Sequence, residues 1–312
     1  MRLATLQQPI ALAALAVLAT LGGAAAVAHA QLPPAHDKVV VVIMENKSYD
    51  QTRVQTYTAG LLAAGATFTN ARGVARPSQP NYFAIWAGNT LGISSNACPA
   101  PGSPFPYENL GHACEANGKT WKAFVENLPS AGSTVCSADG DAVTGLYTRK
   151  HAPWSYFSNV DHSNERPYSE LAGVLAAHAL PNLTFVVPNN CHNTHNSSTP
   201  GCTLADGDAW LAANLPPIID ELGPNGLLIL TWDEDDEASS QHILTALTGP
   251  KVIPGSTYAP TATHYATARL VCDVLGLPVI GFGIFENPIL GIWQAPTQTR
   301  PATWGVLKTI YR

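Results

Sequence analysis

The sequence has little charge. Lys, Arg, Asp and Glu make up 12% of its 312 residues, and its 16 Lys and Arg never stand more than two together. With a formal charge of −6 and no basic tract, the chain offers nucleic acid no electrostatic footprint, and such a partner is not expected. The six cysteines lack the paired CxxC spacing of a zinc finger. Past residue 30 there is no internal repeat and no low-complexity tract, which excludes a solenoid or a linker-rich chain. No apolar run there is long enough to anchor the chain in a membrane.

What is present begins with a leader. Arg2 precedes an Ala-, Leu-, Val- and Gly-rich stretch from Ile10 to Val27, which ends in Ala28-His29-Ala30, a small-x-small cleavage pattern. The alternative, an uncleaved anchor, would need about 20 strongly apolar residues, whereas this run is only weakly hydrophobic. Residues 1–30 therefore read as a signal peptide and residues 31–312 as one domain, secreted or periplasmic, with its balance moved to −7 by loss of Arg2. Gly and Pro, 25 each, indicate many tight loops around a well-buried core. Oxidising conditions outside the cytoplasm favour pairing among Cys98, Cys114, Cys136, Cys191, Cys202 and Cys272. Cys191 and Cys202 bracket a polar loop and are the first pair. Two of Cys98, Cys114 and Cys136 form another, and Cys272 is a buried free thiol or a third-pair member.

Lys38–Met44, Leu183–Val187 and Gly226–Trp232 are short, continuous and aliphatic, as buried parallel strands are. Ile243–Leu247 reads as an edge or neighbouring strand. Helical patterns follow at Ala209–Leu222, entered through Asp208 as N-cap, and at Tyr265–Leu275. The fold class is α/β: a doubly wound, mostly parallel sheet with helices on both faces. Residues 96–157, rich in Gly, Pro, Ser and Cys, read as a loop-rich rim or lid with one helix around Thr120–Asn127.

Ligands of open parallel sheets bind beyond the carboxyl ends of the strands. There the first strand runs into Glu45-Asn46, and a later one into Asp233-Glu234-Asp235-Asp236. Facing carboxylates are unstable without a cation between them, and the oxygen-rich set Glu45, Asn46, Asp233 and Glu234 suits a divalent metal such as Zn, Mn or Ca. The plainer reading makes each a solvated loop residue, as Asp235, Asp236 and Glu237 are expected to be. Ser78 lies just before a helix that Pro80 can begin, where N–H groups and the dipole favour phosphate. It is a metal-activated nucleophile or an ordinary cap; Asn81, one turn on, can donate to a phosphate oxygen. His195 and His264 border strand ends or helix starts, His192 and His242 are weaker candidates, and His151 sits on the rim.

Met44-Glu45-Asn46-Lys47-Ser48-Tyr49-Asp50 resembles the MEN-(K/R)-S-(F/Y)-D start of the phosphoesterase family of bacterial phospholipases C and acid phosphatases. Pro77-Ser78-Gln79-Pro80-Asn81-Tyr82 is similar to the HPS-x-PNY element of its acid-phosphatase branch. Gly118–Trp121, Lys150–Pro153, Gly207–Leu211, Thr231–Glu234 and Gly249 through Tyr265 follow in the family's order. The resemblance implies an alkaline-phosphatase-like fold and a metal site of Glu45, Asn46, Ser78, Asp233 and Glu234. It also implies a phosphoserine intermediate at Ser78, with His264 and His195 as second-metal ligands or proton donors. Two departures matter. Arg76 replaces the usual histidine and can bind phosphate through its planar fork but cannot give up a proton. Asn189 and Asn193 stand where acids often occur, which weakens a second metal site.

The expected substrate is a small phosphate monoester, as for acid phosphatases, or a phospholipid head group. A phospholipase C or other diesterase would need a roomier, apolar mouth, for which Trp154, Tyr156 and Phe157 are the candidates. A silent binding module keeping the fold is the alternative of another class. The glycosylation patterns at Asn46, Asn182 and Asn196 leave the host open.

Overall fold

The computed structural model describes residues 32–140, 145–195, 202–236 and 240–295. The leader and Asn196 lie outside them. The chain opens with β1 (Lys38–Met44), α1 (Tyr49–Thr52), α2 (Thr56–Ala64), β2 (Ala66–Arg72) and α3 (Ser78–Ala87). Next come α4 (Leu110–Ala116), β3 (Trp121–Val125), the short pair β4 (Ser137–Ala138) and β5 (Tyr147–Thr148), β6 (Glu165–Pro167) and α5 (Leu171–Ala176). The last part holds β7 (Leu183–Val187), α6 (Leu204–Leu222), β8 (Gly226–Trp232), β9 (His242–Thr248), β10 (Ser256–Tyr258), β11 (Ala262–Thr263) and α7 (His264–Leu275).

Among the described residues nine strands form one sheet, ordered β10-β2-β9-β8-β1-β7-β3-β6, with β11 also on β2. All neighbours run parallel except at β9, which is antiparallel to β2 and β8 and lies inside the sheet, not at its edge. The central strands β1, β7 and β8 are buried almost throughout, so their sequences are continuous where a half-exposed strand would alternate. Each buried Val or Ile of β1 contributes about 1.5–3 kcal/mol of apolar burial. Helices α2, α5 and α6 pack together as one layer, and α3, α4 and α7 as the other.

Three expectations need correction. Thr120–Asn127 is no helix: Trp121–Val125 is β3, parallel to β7 and β6. Its large apolar residues fit helical spacing, but Trp, Phe and Val also suit a strand covered on both faces. The segment 96–157 is correspondingly more than a rim, because Trp154 packs on Trp86 at 5.6 Å and Trp86 on Trp121 at 5.0 Å. Trp154, Tyr156 and Phe157 are at most 1% exposed, so they belong to the core and offer no apolar mouth.

The third correction concerns α6, which starts at Leu204 with Thr203 and Asp206 as its capping box. Asp208 lies inside α6 and caps α2 from the side, accepting from the N–H groups of Tyr57 and Thr58 and from Thr58 Oγ1. Disulfides join Cys98 to Cys136 and Cys191 to Cys202, while Cys114 and Cys272 are buried free thiols.

Candidate active site

β1 and β8 pair in register up to Met44 and Trp232, so Glu45 and Asp233 leave the same sheet edge side by side. Asp233 N–H donates to the Met44 carbonyl at 2.9 Å, and Asn46 N–H to Asp233 Oδ1 at 3.2 Å. Asn46 reaches the cluster through this backbone group, in a left-handed conformation (φ 51°) that asparagine tolerates. From β2 a short loop presses against β8 at Gly73, where a Cβ would lie 2.9 Å from the Asp233 carbonyl. The loop ends at Ser78, the first residue of the wholly buried α3.

Ser78 Oγ lies 3.1 Å from Glu45 Oε2 and 3.0 Å from Glu234 Oε1. Asn81, expected to face phosphate, is committed elsewhere. Its oxygen accepts from Val74 and Ala75 N–H, and its amide donates to the Ala75 and Pro77 carbonyls, which fixes the loop that presents Ser78. Arg76 forms an ion pair with Asp235 and lies 3.6 Å from Glu234 Oε2. Asp235 is therefore a buried partner of Arg76, not a surface charge. Glu237 lies outside the described residues.

A third element enters from the segment before residue 157. The 3-10 turn Arg149–His151 places Lys150 Nζ 3.4 Å from Ser78 Oγ and His151 Nε2 2.8 Å from Glu45 Oε1. His151 is buried and stacked on Tyr82 at 4.9 Å, and its contact with Glu45 lacks hydrogen-bond alignment. His151 is thus inside the cluster and not on its rim. Sequence reasoning gave Lys150 no role. The signal available was Arg149-Lys150, the one adjacent basic pair in the chain.

The remaining histidines separate. His195 Nε2 stands 4.0 Å from Glu45 Oε2 on the open side. His264 is buried behind Asp233, its Nε2 donating to the Asp233 carbonyl at 2.5 Å, so it orients that residue from the rear. His192 pairs with Glu126, and His242 stacks on Tyr49. Asn193 Oδ1 accepts from His195 N–H, and Asn189 Oδ1 from Cys191 and His192 N–H, so both asparagines shape the loop.

Burial dominates the electrostatics. It would raise Glu45, but the His151 contact and the Lys150 charge outweigh it and hold this carboxyl below its usual range. Burial lowers His151 to about 4, leaving the pair as carboxylate and neutral imidazole at neutral pH. Asp233 is pushed well up, and Glu234 to about 7, by burial and then by the Glu45 charge. Burial also lowers His264 to about 4 and lowers His195.

Among the described residues no three His, Cys, Asp or Glu side chains are already gathered as a metal site. The donor chemistry nevertheless fits a hard divalent cation. Glu45 Oε1, Asp233 Oδ2 and Glu234 Oε2 are buried oxygens without a hydrogen bond, and Glu45 and Glu234 flank the Ser78 hydroxyl with their other oxygens. Mutually repelling buried carboxylates of this kind are stabilised by a cation between them.

Residues 52–263 match the phosphoesterase family. A phosphatidylinositol-3-phosphatase of Mycobacterium tuberculosis is 38% identical over 264 residues, 83% of this chain and 84% of that protein. A phosphate-repressible acid phosphatase of Penicillium chrysogenum is 26% identical over 79% of this chain, which spans 61% of that longer enzyme. In fold, the chain resembles a Vibrio parahaemolyticus protein of the alkaline phosphatase superfamily, with a TM-score of 0.59 and 11% identity over 81% of this chain and 71% of that one. The lipoteichoic acid synthase of Listeria monocytogenes gives 0.56 and 10%, over 81% and 76%. At such identities these two likenesses concern the fold alone.

Proposed function

The chain belongs to the phosphoesterase family and is a phosphoester hydrolase, and from that premise we propose that it is an exported, metal-dependent phosphate monoesterase with Ser78 as nucleophile. The observation that carries this reading is Ser78 Oγ at the head of a buried helix, within 3.1 Å of Glu45 and Glu234. Ser78 Oγ bonds to phosphorus and the bond to the alcohol oxygen breaks. The hydroxyl proton passes to one of the adjacent carboxylates, which returns it to Oγ when the phosphoserine is cleaved, and the departing alkoxide takes a proton from water on the side where His195 stands. Water then cleaves the phosphoserine and releases inorganic phosphate. A divalent cation held by Glu45, Asp233, Glu234 and Ser78, with Asn46 adjoining, would supply Lewis-acid charge and favour the serine alkoxide.

Support for a monoester comes from the phosphatase names of the relatives, and the burial of Trp154, Tyr156 and Phe157 takes away the residues expected to form an apolar mouth. The Mycobacterium relative makes a 3-phosphoinositide head group the first natural substrate to examine. Export is supported by the two disulfides. Among the described residues no helix is long and apolar enough to cross a membrane.

The test is phosphate release from p-nitrophenyl phosphate, bis-p-nitrophenyl phosphate and a short-chain phosphatidylinositol 3-phosphate, before and after chelation and metal add-back. Turnover of the monoesters that chelation abolishes and metal restores is expected. Preference for the diester would overturn the monoesterase reading, and turnover indifferent to chelation would overturn metal dependence.

A further inference from the structure

We propose that Lys150 is a further catalytic residue, whose ammonium holds Ser78 Oγ in the free enzyme and moves to a non-bridging phosphoryl oxygen when the ester binds. This rests on the reading of Ser78 as nucleophile. Lys150 Nζ is 3.4 Å from Ser78 Oγ and donates to it. Among the described residues this ammonium joins no ion pair, unlike Lys38, which is tied to Glu221 at 2.7 Å, or Arg76, which is tied to Asp235. Its charge acts on Glu45, Asp233 and Glu234 from beyond ion-pair distance, so no single carboxylate holds it against an incoming anion.

The base that carries Lys150 is fixed on both sides. Arg149 donates to Ser155 Oγ at 2.9 Å, to the Ser155 carbonyl at 2.7 Å and to the Thr134 carbonyl at 3.0 Å, and lies over the Tyr156 ring at 4.3 Å. Arg149 N–H donates to the Cys136 carbonyl, next to the disulfide with Cys98. On the other side, His151 is wedged between Tyr82 and Glu45. With residues 149 and 151 anchored, only the half-buried lysine side chain is free to follow the phosphoryl group. An ammonium suits that task, being a compact point charge with three donors on a flexible stem. Charge spread over the equatorial oxygens at the moment of transfer is what such a preplaced donor stabilises most.

The experiment compares wild type with Lys150→Ala and Lys150→Met, each full-length and metal-restored. It reads kcat and KM on p-nitrophenyl phosphate, competitive inhibition by inorganic phosphate, bound metal and thermal midpoint. A fall in kcat of about 100-fold or more is expected, as for loss of one preorganised donor. Phosphate affinity falls with it, while metal content and thermal midpoint stay as in wild type. Lys150→Met keeps the aliphatic stem and decides the matter if the alanine variant folds poorly. Unchanged kcat, or phosphate affinity unchanged in both variants, would overturn the role of Lys150 and leave the serine reading standing. A wild type that releases no phosphate would instead bring down the serine reading itself.

Discussion

At the scale of single residues, the molecule tolerates several buried carboxyls, and Glu165 is one that the proposed chemistry does not use. It is fully buried at the start of β6, with Tyr147, Trp154 and Arg149 facing it, and neither oxygen has a well-formed hydrogen bond. Burial raises it from 4.5 to about 8, with Trp154 Nε1 and the Arg149 charge offsetting only part. The native state thus keeps a proton that the unfolded chain releases. Stability from this group is fully present below about pH 4.5 and is lost as pH climbs through about 8. Glu165→Gln should flatten the fall in thermal midpoint between about pH 5 and pH 8. Parallel wild-type and variant curves would refute the assignment. Nothing in the sequence marked Glu165, because a lone Glu between Asn164 and Arg166 reads as a solvent-facing loop residue until β3 and the aromatic cluster close over it. Glu45, Asp233 and Glu234 were legible for the opposite reason, since strand ends fix where such side chains gather, and Pro80 marked the helix start that presents Ser78. Lys150 and Asp235 were not, since their partners Ser78 and Arg76 are distant in sequence.

At the scale of elements, continuity of aliphatic residues identified β1, β7 and β8, and local chemistry identified α7. What failed was spacing in a short mixed segment, where Trp121–Val125 satisfied two periods and only the neighbours β7 and β6 chose the strand. Asp208 shows a related limit. A good capping residue was visible, but the helix it caps is α2 and not its own, a contact between residues about 150 apart in the chain. Its carboxylate satisfies two orphan N–H groups and the Thr58 hydroxyl. Asp208→Ala should cost about 1–2 kcal/mol in urea unfolding, with the m-value unchanged. A loss within about 0.5 kcal/mol, the scatter of surface substitutions, would mean that water replaces the cap without penalty.

At the scale of the whole molecule, four separate stretches converge on one site. The ends of β1 and β8 bring carboxylates, the loop after β2 brings the nucleophile, and the segment before residue 157 brings Lys150 and His151. Reading that last segment as a rim understated it, because its Gly, Pro and Cys content concealed a sheet strand and a tryptophan cluster. The acidic and serine motifs that the resemblance to phosphoesterases singled out lie together at one edge of the sheet. His264, for which the resemblance implied a second-metal or proton-donor role, donates to the Asp233 carbonyl. The central claim, that phosphate passes through Ser78, is tested most directly by acid-quenching the enzyme during turnover of a phosphate monoester and sequencing the peptide that contains Ser78 by mass spectrometry. A phosphoryl group on Ser78, absent from Ser78→Ala, is the predicted result. Steady turnover with that peptide unmodified, or with phosphate on another residue, would contradict it.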